Sequence, residues 1–156
     1  MKLSHVRDDG TVTMVNVSDK PETKRIAVAE GMIQMKPETF RAIREKSLKK
    51  GDALVTAQIA GIMAAKETSR LIPLCHPIFL SHVGVDFSFG DDEASLTCRC
   101  ETETTAQTGV EMEALAGLSV ALLSIYDMCK AIDRGMRITD IHVVLKDGGK
   151  SGRYVG

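Results

Sequence analysis

Asp127 and Lys130 stand three residues apart in the segment Tyr126-Asp127-Met128-Cys129-Lys130. On a helix that spacing sets an acid and an amine on neighbouring faces of one turn, close enough to touch. On an exposed helix an ordinary surface ion pair would be the simplest reading. Here the preceding residues are apolar for three turns, so the pair is expected to enter a semi-buried pocket. Burial and mutual charge there shift both pKa values, which is how a carboxylate and an amine become an acid/base pair. In Leu71-Ile72-Pro73-Leu74-Cys75-His76-Pro77 two prolines fix a short extended segment and hold Cys75 and His76 between them. An imidazole so placed can donate to phosphate or move protons near pH 7, against the competing reading of a structural histidine.

Other charged residues have strong structural readings beside the functional ones. Glu111 and Glu113 flank Met112 where a helix begins, and carboxylates there also suit the positive end of the helix dipole. Lys49-Lys50-Gly51-Asp52 puts two cations beside another helix start, a place that favours phosphate, although solvated surface lysine is the plainer account. Lys146 and Lys150 belong to the glycine-rich run Lys146-Asp147-Gly148-Gly149-Lys150-Ser151-Gly152. That run can close over phosphates, but it is not a P-loop, since Val144 stands where glycine is required and only five residues follow Ser151. No metal site is expected, because His76, Cys98 and Cys100 have no ligand spacing.

Distance constrains these assignments. If one helix carries both Glu113 and Asp127, the fourteen residues between them span roughly 21 Å, too far for one small-molecule site. Either Glu113 serves a distal subsite, or a second copy of the chain brings its own Glu113 to this Asp127.

The elements that must position these residues follow from periodicity. Residues 1–20 read as a polar arm in which Val12, Met14 and Asn16 alternate weakly, giving a short strand. Residues 24–35 read as a strand, and Pro37-Glu38 opens a short helix because proline suits the first helical position. Asp52 caps a second helix, in which Val55, Ile59, Ile62 and Met63 form one apolar stripe and which Pro73 stops. Val83, Val85, Phe87 and Phe89, then Leu96, Cys98 and Cys100 across the turn Gly90-Asp91-Asp92-Glu93, alternate as a hairpin with one buried face. A long helix over 110–134, apolar nearly all round between Ala114 and Ile125, is expected to be deeply buried and to end at Gly135. A last strand over 138–146 puts Ile141, Val143 and Leu145 on one face. Setting aside the arm and the extra short helix, the order is βαββαβ. The fold class is therefore α+β, ferredoxin-like, with an antiparallel sheet and helices on one face.

At 156 residues the chain fits one domain over 1–156, with a flexible glycine-rich tail at 147–156. Twenty basic residues against twenty-one acidic give a net charge of −1, so no global attraction for nucleic acid or an anionic membrane is expected. An RNA-recognition sheet is disfavoured as well, since no aromatic lies in 94–103 to stack on a base. A ligand-sensing domain without turnover is the remaining alternative, and it would not need Asp127 beside Lys130. The start of the chain lacks a secretory signal, the sequence has no span of eighteen uncharged apolar residues, and no cysteine pair has C-x-x-C spacing. Reduced thiols and a cytoplasmic location are expected.

The segments Met14-Val15-Asn16-Val17-Ser18, Lys50-Gly51-Asp52, 72–77, Thr108-Gly109-Val110-Glu111-Met112-Glu113-Ala114, 125–130 and 148–152 occur together and in order. In this the chain closely resembles the MoaC family, the cyclic pyranopterin monophosphate synthases of molybdenum-cofactor biosynthesis. The resemblance spans nearly the whole chain. It implies a lyase acting on (8S)-3',8-cyclo-7,8-dihydroguanosine 5'-triphosphate and releasing diphosphate. It implies Asp127 and Lys130 as the acid/base centre, and Leu74, Cys75, His76, Met112 and Glu113 as substrate contacts. Lys50, Glu111 and Lys146 are implied as further members of the pocket. No redox cofactor is implied, and Mg²⁺ can accompany the triphosphate. The implied assembly is a homohexamer, a trimer of dimers, with sites at the dimer interface.

Overall fold

A computed structural model describes residues 4–156. Strand β1 (Thr23–Gln34) is the spine of the sheet, hydrogen-bonded along both edges. Its Ala27, Val28, Ala29 and Ile33 are fully buried. Helix α1 (Pro37–Arg44) starts on Pro37, as the sequence predicts, and sends Phe40 into the core edge-on to Phe89, with centroids 5.2 Å apart. Helix α2 (Ala53–Lys66) is capped by Asp52, whose Oδ1 accepts from the backbone N–H of Leu54 at 3.0 Å and of Val55 at 3.2 Å. A single turn, α3 (Thr68–Leu71), follows. Strands β2 (His82–Phe89) and β3 (Ser95–Ala106) form the expected hairpin, helix α4 (Glu111–Cys129) crosses back, and β4 (Arg137–Asp147) and β5 (Tyr154–Val155) complete the chain. The sheet order is β2-β3-β1-β4-β5, with every neighbouring pair antiparallel. With four helices beside it, this is the ferredoxin-like α+β arrangement with one extra edge strand.

Helices α2 and α4 touch through small residues. A Cβ added to Gly61 would lie 2.9 Å from the Gly117 carbonyl oxygen, and one added to Gly117 would lie 2.9 Å from Cys100 Sγ. Ala53, Ala57, Ala64 and Ala65 are buried on the same side of α2. The packed face of α2 is therefore its small-residue face, because only that face lets the two backbones approach. Of the apolar stripe only Ile62 packs against the core; the rest points away, leaving Ile59 55% and Met63 61% exposed, with Val55 and with Leu123 of α4 exposed as well. Helix α4 is thus buried on one side rather than all round. By length and composition it could cross a membrane, but here it is the core helix, packed on β1, β3, β4 and α2.

Several local expectations are corrected. Helix α2 stops at Lys66, well before Pro73, where the Thr68 hydroxyl donates to the carbonyls of Ala64 and Ala65. Helix α4 ends at Cys129 rather than near Gly135, because the N–H groups of Ile132 and Asp133 both turn back to the Cys129 carbonyl. Buried Asp133 then accepts from Lys36 N at 2.8 Å and Gly135 N at 2.9 Å, tying this turn to the start of α1. Among the described residues the arm forms no strand, only a bridge between Val6 and Val12. The tail is not simply loose: Tyr154 and Val155 pair with Lys146 and Leu145.

Strand β4 does not keep Ile141, Val143 and Leu145 on one face. Ala29 pairs with Val143 but Val28 with Leu145, leaving Val144 as an extra residue; a second shift falls beside Asp140, whose φ is +57°. Each bulge reverses the alternation of side chains. Leu145 consequently turns to the face away from the helices, and Lys146, opposite Ala27, turns toward α4.

Candidate active site

The start of α4 forms one wall of a cleft. The loop Gln107-Thr108-Gly109 leads from β3 into α4, and Glu111, Met112 and Glu113 occupy its first turn. Opposite lie Leu74, Cys75 and His76, on the irregular segment between α3 and β2, and the arm covers them with Val15 and Val17. His76 Nε2 lies 2.6 Å from the Val15 carbonyl oxygen. A carbonyl only accepts, so Nε2 carries the proton and Nδ1 is the nitrogen left to exchange one. These residues enclose a cavity of about 320 Å³.

Glu113 is the chemically notable group in this cavity. It is 4% exposed, and burial pushes its carboxyl from the ordinary 4.5 up to about 7. Its own backbone N–H opposes that shift, and the nearby Glu111 charge adds to it. A carboxyl near 7 can both give and take a proton at neutral pH. Burial, and then the Glu113 charge, raise the Cys75 thiol, which stays protonated. Glu111 reaches Lys146 at 3.8 Å, a contact made possible by the bulge at Val144.

A second cavity, about 820 Å³, opens from the first, and Lys20, Thr108, Gly109 and Glu111 line both. It adds Arg25 and Lys146 from the sheet and Lys150 and Ser151 from the tail. Sequence reading missed Lys20 and Arg25 because neither sits in a motif; one lies in the arm and the other on a strand.

The other expected centre lies at the opposite end of α4. Lys130 Nζ donates to Asp127 Oδ1 at 2.6 Å, and Lys50 Nζ contacts the Asp127 carbonyl oxygen at 2.9 Å and its Oδ2 at 3.4 Å. The pair does touch, but it is exposed within the chain rather than set in a semi-buried pocket. The hydrogen bond from Lys130, then that from Lys50, holds the Asp127 carboxyl below its usual range, and the same bond raises the Lys130 amine. Each is fixed in its charged form. Lys50 does not serve an anion at the start of α2, since Asp52 already caps that end and pairs with Lys46 at 2.9 Å. Leu74, Cys75, His76, Glu111, Met112, Glu113 and Lys146 thus gather at one end of α4, and Lys50, Asp127 and Lys130 at the other. Fourteen residues of helix, roughly 21 Å, separate Glu113 from Asp127. Cys98 and Cys100 lie buried on the sheet, their thiols pushed up to about 12 chiefly by burial.

Fold and cleft together define a ferredoxin-like domain built around a small-molecule site with proton-exchanging and cationic side chains. Residues 14–149 match the model of the MoaC family. The cyclic pyranopterin monophosphate synthase of Thermoanaerobacter sp. (strain X514) is 54% identical over 154 residues, covering 99% of this chain and 98% of that protein. The protein of the same name from Syntrophomonas wolfei subsp. wolfei is 52% identical over 155 residues, 99% of each chain. That of Thermoanaerobacter pseudethanolicus is 53% identical over 154 residues, covering 99% and 98%. The chain belongs to the MoaC family.

Proposed function

We propose that this chain is a cyclic pyranopterin monophosphate synthase of molybdenum-cofactor biosynthesis. It converts (8S)-3',8-cyclo-7,8-dihydroguanosine 5'-triphosphate to cyclic pyranopterin monophosphate and diphosphate. The observation that carries this reading is identity above one half, end to end, with proteins of that name. General acid/base steps open the purine five-membered ring and rebuild it as the pyranopterin. A substrate hydroxyl then attacks the α-phosphorus, giving its proton to a base, and the bond to the β-phosphate breaks as diphosphate leaves. Asp127 and Lys130 serve as the acid/base centre, with Leu74, Cys75, His76, Met112 and Glu113 as substrate contacts. Lys50, Lys146 and Glu111 complete the pocket, the lysines facing phosphate. No cofactor is assigned to the reaction, although Mg²⁺ can accompany the triphosphate, and the reaction takes place in the cytoplasm.

One chain cannot bring both ends of α4 to one substrate, so each site is shared between two copies. A two-fold axis crossing α4 sets the partner's helix antiparallel, its Asp127 end beside this chain's Glu113 end. The exposed Val55, Ile59, Met63 and Leu123 supply apolar surface for such a contact. Three such dimers form the proposed hexamer.

Incubation with the cyclic nucleotide made by the upstream radical enzyme, following diphosphate, tests the reading. Wild-type protein should release diphosphate, and Asp127→Asn and Lys130→Ala should not. Wild-type protein that releases none refutes the assignment, and tight binding without release would fit a sensing domain instead.

A further inference from the structure

The arm that precedes β1 is shaped by contacts within itself. Arg7 N donates to the Thr11 carbonyl at 2.9 Å, Thr13 N donates to the His5 carbonyl at 3.0 Å, and Val6 bridges Val12, so residues 5–13 double back as a small hairpin. Two residues set its turn. The Asp9 carboxylate accepts from the Thr11 amide at 2.9 Å and from the Thr11 hydroxyl at 2.6 Å, and Gly10 takes φ of +82°. Beyond its two chain neighbours nothing lies within 4 Å of a Cβ built on Gly10, so glycine is needed there for conformation and not for space. After the hairpin the chain runs extended. Thr13, Val15 and Val17 are half-buried, while Met14 and Asn16 between them stay exposed.

The inward side of this arm closes the cavity that holds Glu113. Ser4, His5, Val15 and Val17 supply one part of its lining, and Cys75, His76 and Glu113 supply another. The bond of 2.6 Å between His76 Nε2 and the Val15 carbonyl ties the arm to the body across 61 residues of sequence. Nε2 donates in that bond whether or not Nδ1 carries a proton, so proton exchange at Nδ1 does not release the arm. Residues 4–12 are exposed, and a segment that buries so little surface opens at small cost. A ligand in the cavity touches both the arm and the body, and so favours the closed form. His5 brings an imidazole to that lining, with a donor and an acceptor for a nitrogen-rich ring. The bond from Thr13 N to its carbonyl fixes where it stands.

We infer that residues 4–17 form a latch over the substrate pocket, with the His76–Val15 bond as its catch, and that His5 is a further substrate-binding residue carried in by the closed hairpin. The contact with substrate rests on the proposed reaction, whereas the latch does not. Closure removes bulk water from around Glu113 and His76, where proton transfers are proposed, and opening lets substrate in and product out.

Hydrogen exchange of the free protein, read by mass spectrometry, tests the latch, and steady-state diphosphate release tests His5. Peptides covering 4–17 should exchange more slowly than unstructured chain. His76→Phe keeps a flat ring but loses the donor, and should speed that exchange about tenfold while α4 stays protected. Gly10→Val, strained only by its positive φ, should speed it as well. It lies in an exposed turn, so it keeps the inference falsifiable even if His76→Phe fails to fold. In turnover His5→Ala should raise KM about tenfold and leave kcat within about twofold of wild type, and His5→Gln should recover part of the loss. Gly10→Val should reproduce the rise in KM without removing any group from the cavity. An arm that exchanges as unstructured chain in wild type, or equally fast in wild type, His76→Phe and Gly10→Val, would overturn the latch. Normal KM in both His5→Ala and Gly10→Val would overturn the contact. An arm that is protected, and protected further by the cyclic nucleotide, in a protein that releases no diphosphate would leave the latch standing and refute the proposed reaction instead.

Discussion

Mixing two inactive variants gives the sharpest test of where a complete site lies. Asp127→Asn removes the acid at the C-terminal end of α4, and Glu113→Ala removes the buried carboxyl at its N-terminal end. Within one chain these positions are roughly 21 Å apart, the rise of fourteen helical residues. If each site takes Asp127 from one copy and Glu113 from its two-fold partner, a mixed dimer holds one site with both substitutions and one with neither. Random pairing at equal amounts makes half the dimers mixed, and half the sites in those are intact. Activity should therefore return to about a quarter of wild type. The assay is diphosphate release after the two proteins are unfolded together and refolded, with each variant refolded alone as the baseline. Sites contained within single chains would give no recovery at any mixing ratio, and that result would refute the shared-site reasoning.

Three other outcomes follow from local contacts. Asp52→Ala removes the side-chain cap at the start of α2 and should cost about 1 kcal/mol in urea unfolding. Gly117→Ala forces a methyl against Cys100 Sγ and the Gly61 carbonyl oxygen, and should destabilise by about 1–3 kcal/mol in the same measurement. Glu113, held at about 7 in the single chain, would meet Lys50 and Lys130 of a partner and lose its proton on association. Below about pH 7 assembly then releases protons, so it should strengthen as pH rises and level off above that value. Sedimentation across that range should show the trend in wild type and not in Glu113→Gln.

Much of the fold was legible because its signals are local. Asp52 before an apolar helix, Pro37 at a helix start and the alternation through Val83, Val85 and Phe87 each report on a few neighbouring residues, and each element begins where expected. What escaped the sequence depends on distant partners. The period of α2 identifies a stripe but not which side packs, and that is decided by Gly117 and Ala121 of α4 lying against Gly61. The bulges of β4 answer to its register with β1, so the turning of Lys146 toward Glu111 could not be read from 138–146 alone. Arg25 and Lys20 enter the cleft only because the tail and the arm fold back over the strand that separates them in sequence. The segments 72–77 and 108–114 do meet in space, whereas the Asp127–Lys130 pair stands apart from them.

That separation is itself informative. At one end of α4 a buried carboxyl has burial and the Glu111 charge acting on it, and Lys146 is engaged by Glu111. At the other end Asp127 is held by two amines, Lys50 and Lys130, so that end carries one positive charge more than it needs. The Glu113 carboxyl at one end and the surplus amine at the other are complementary groups. The isologous pairing proposed above, with two α4 helices antiparallel, would set each Glu113 beside the surplus amine of a partner, twice per dimer. Val55, Ile59 and Met63 of α2 and Leu123 of α4 are also exposed, apolar surface that such a pairing could cover. If Asp127 and Lys130 are the acid/base groups proposed above, their outer turn has a physical logic: both are held in their charged forms in the lone chain, and association would supply the buried surroundings that can shift their pKa values toward use.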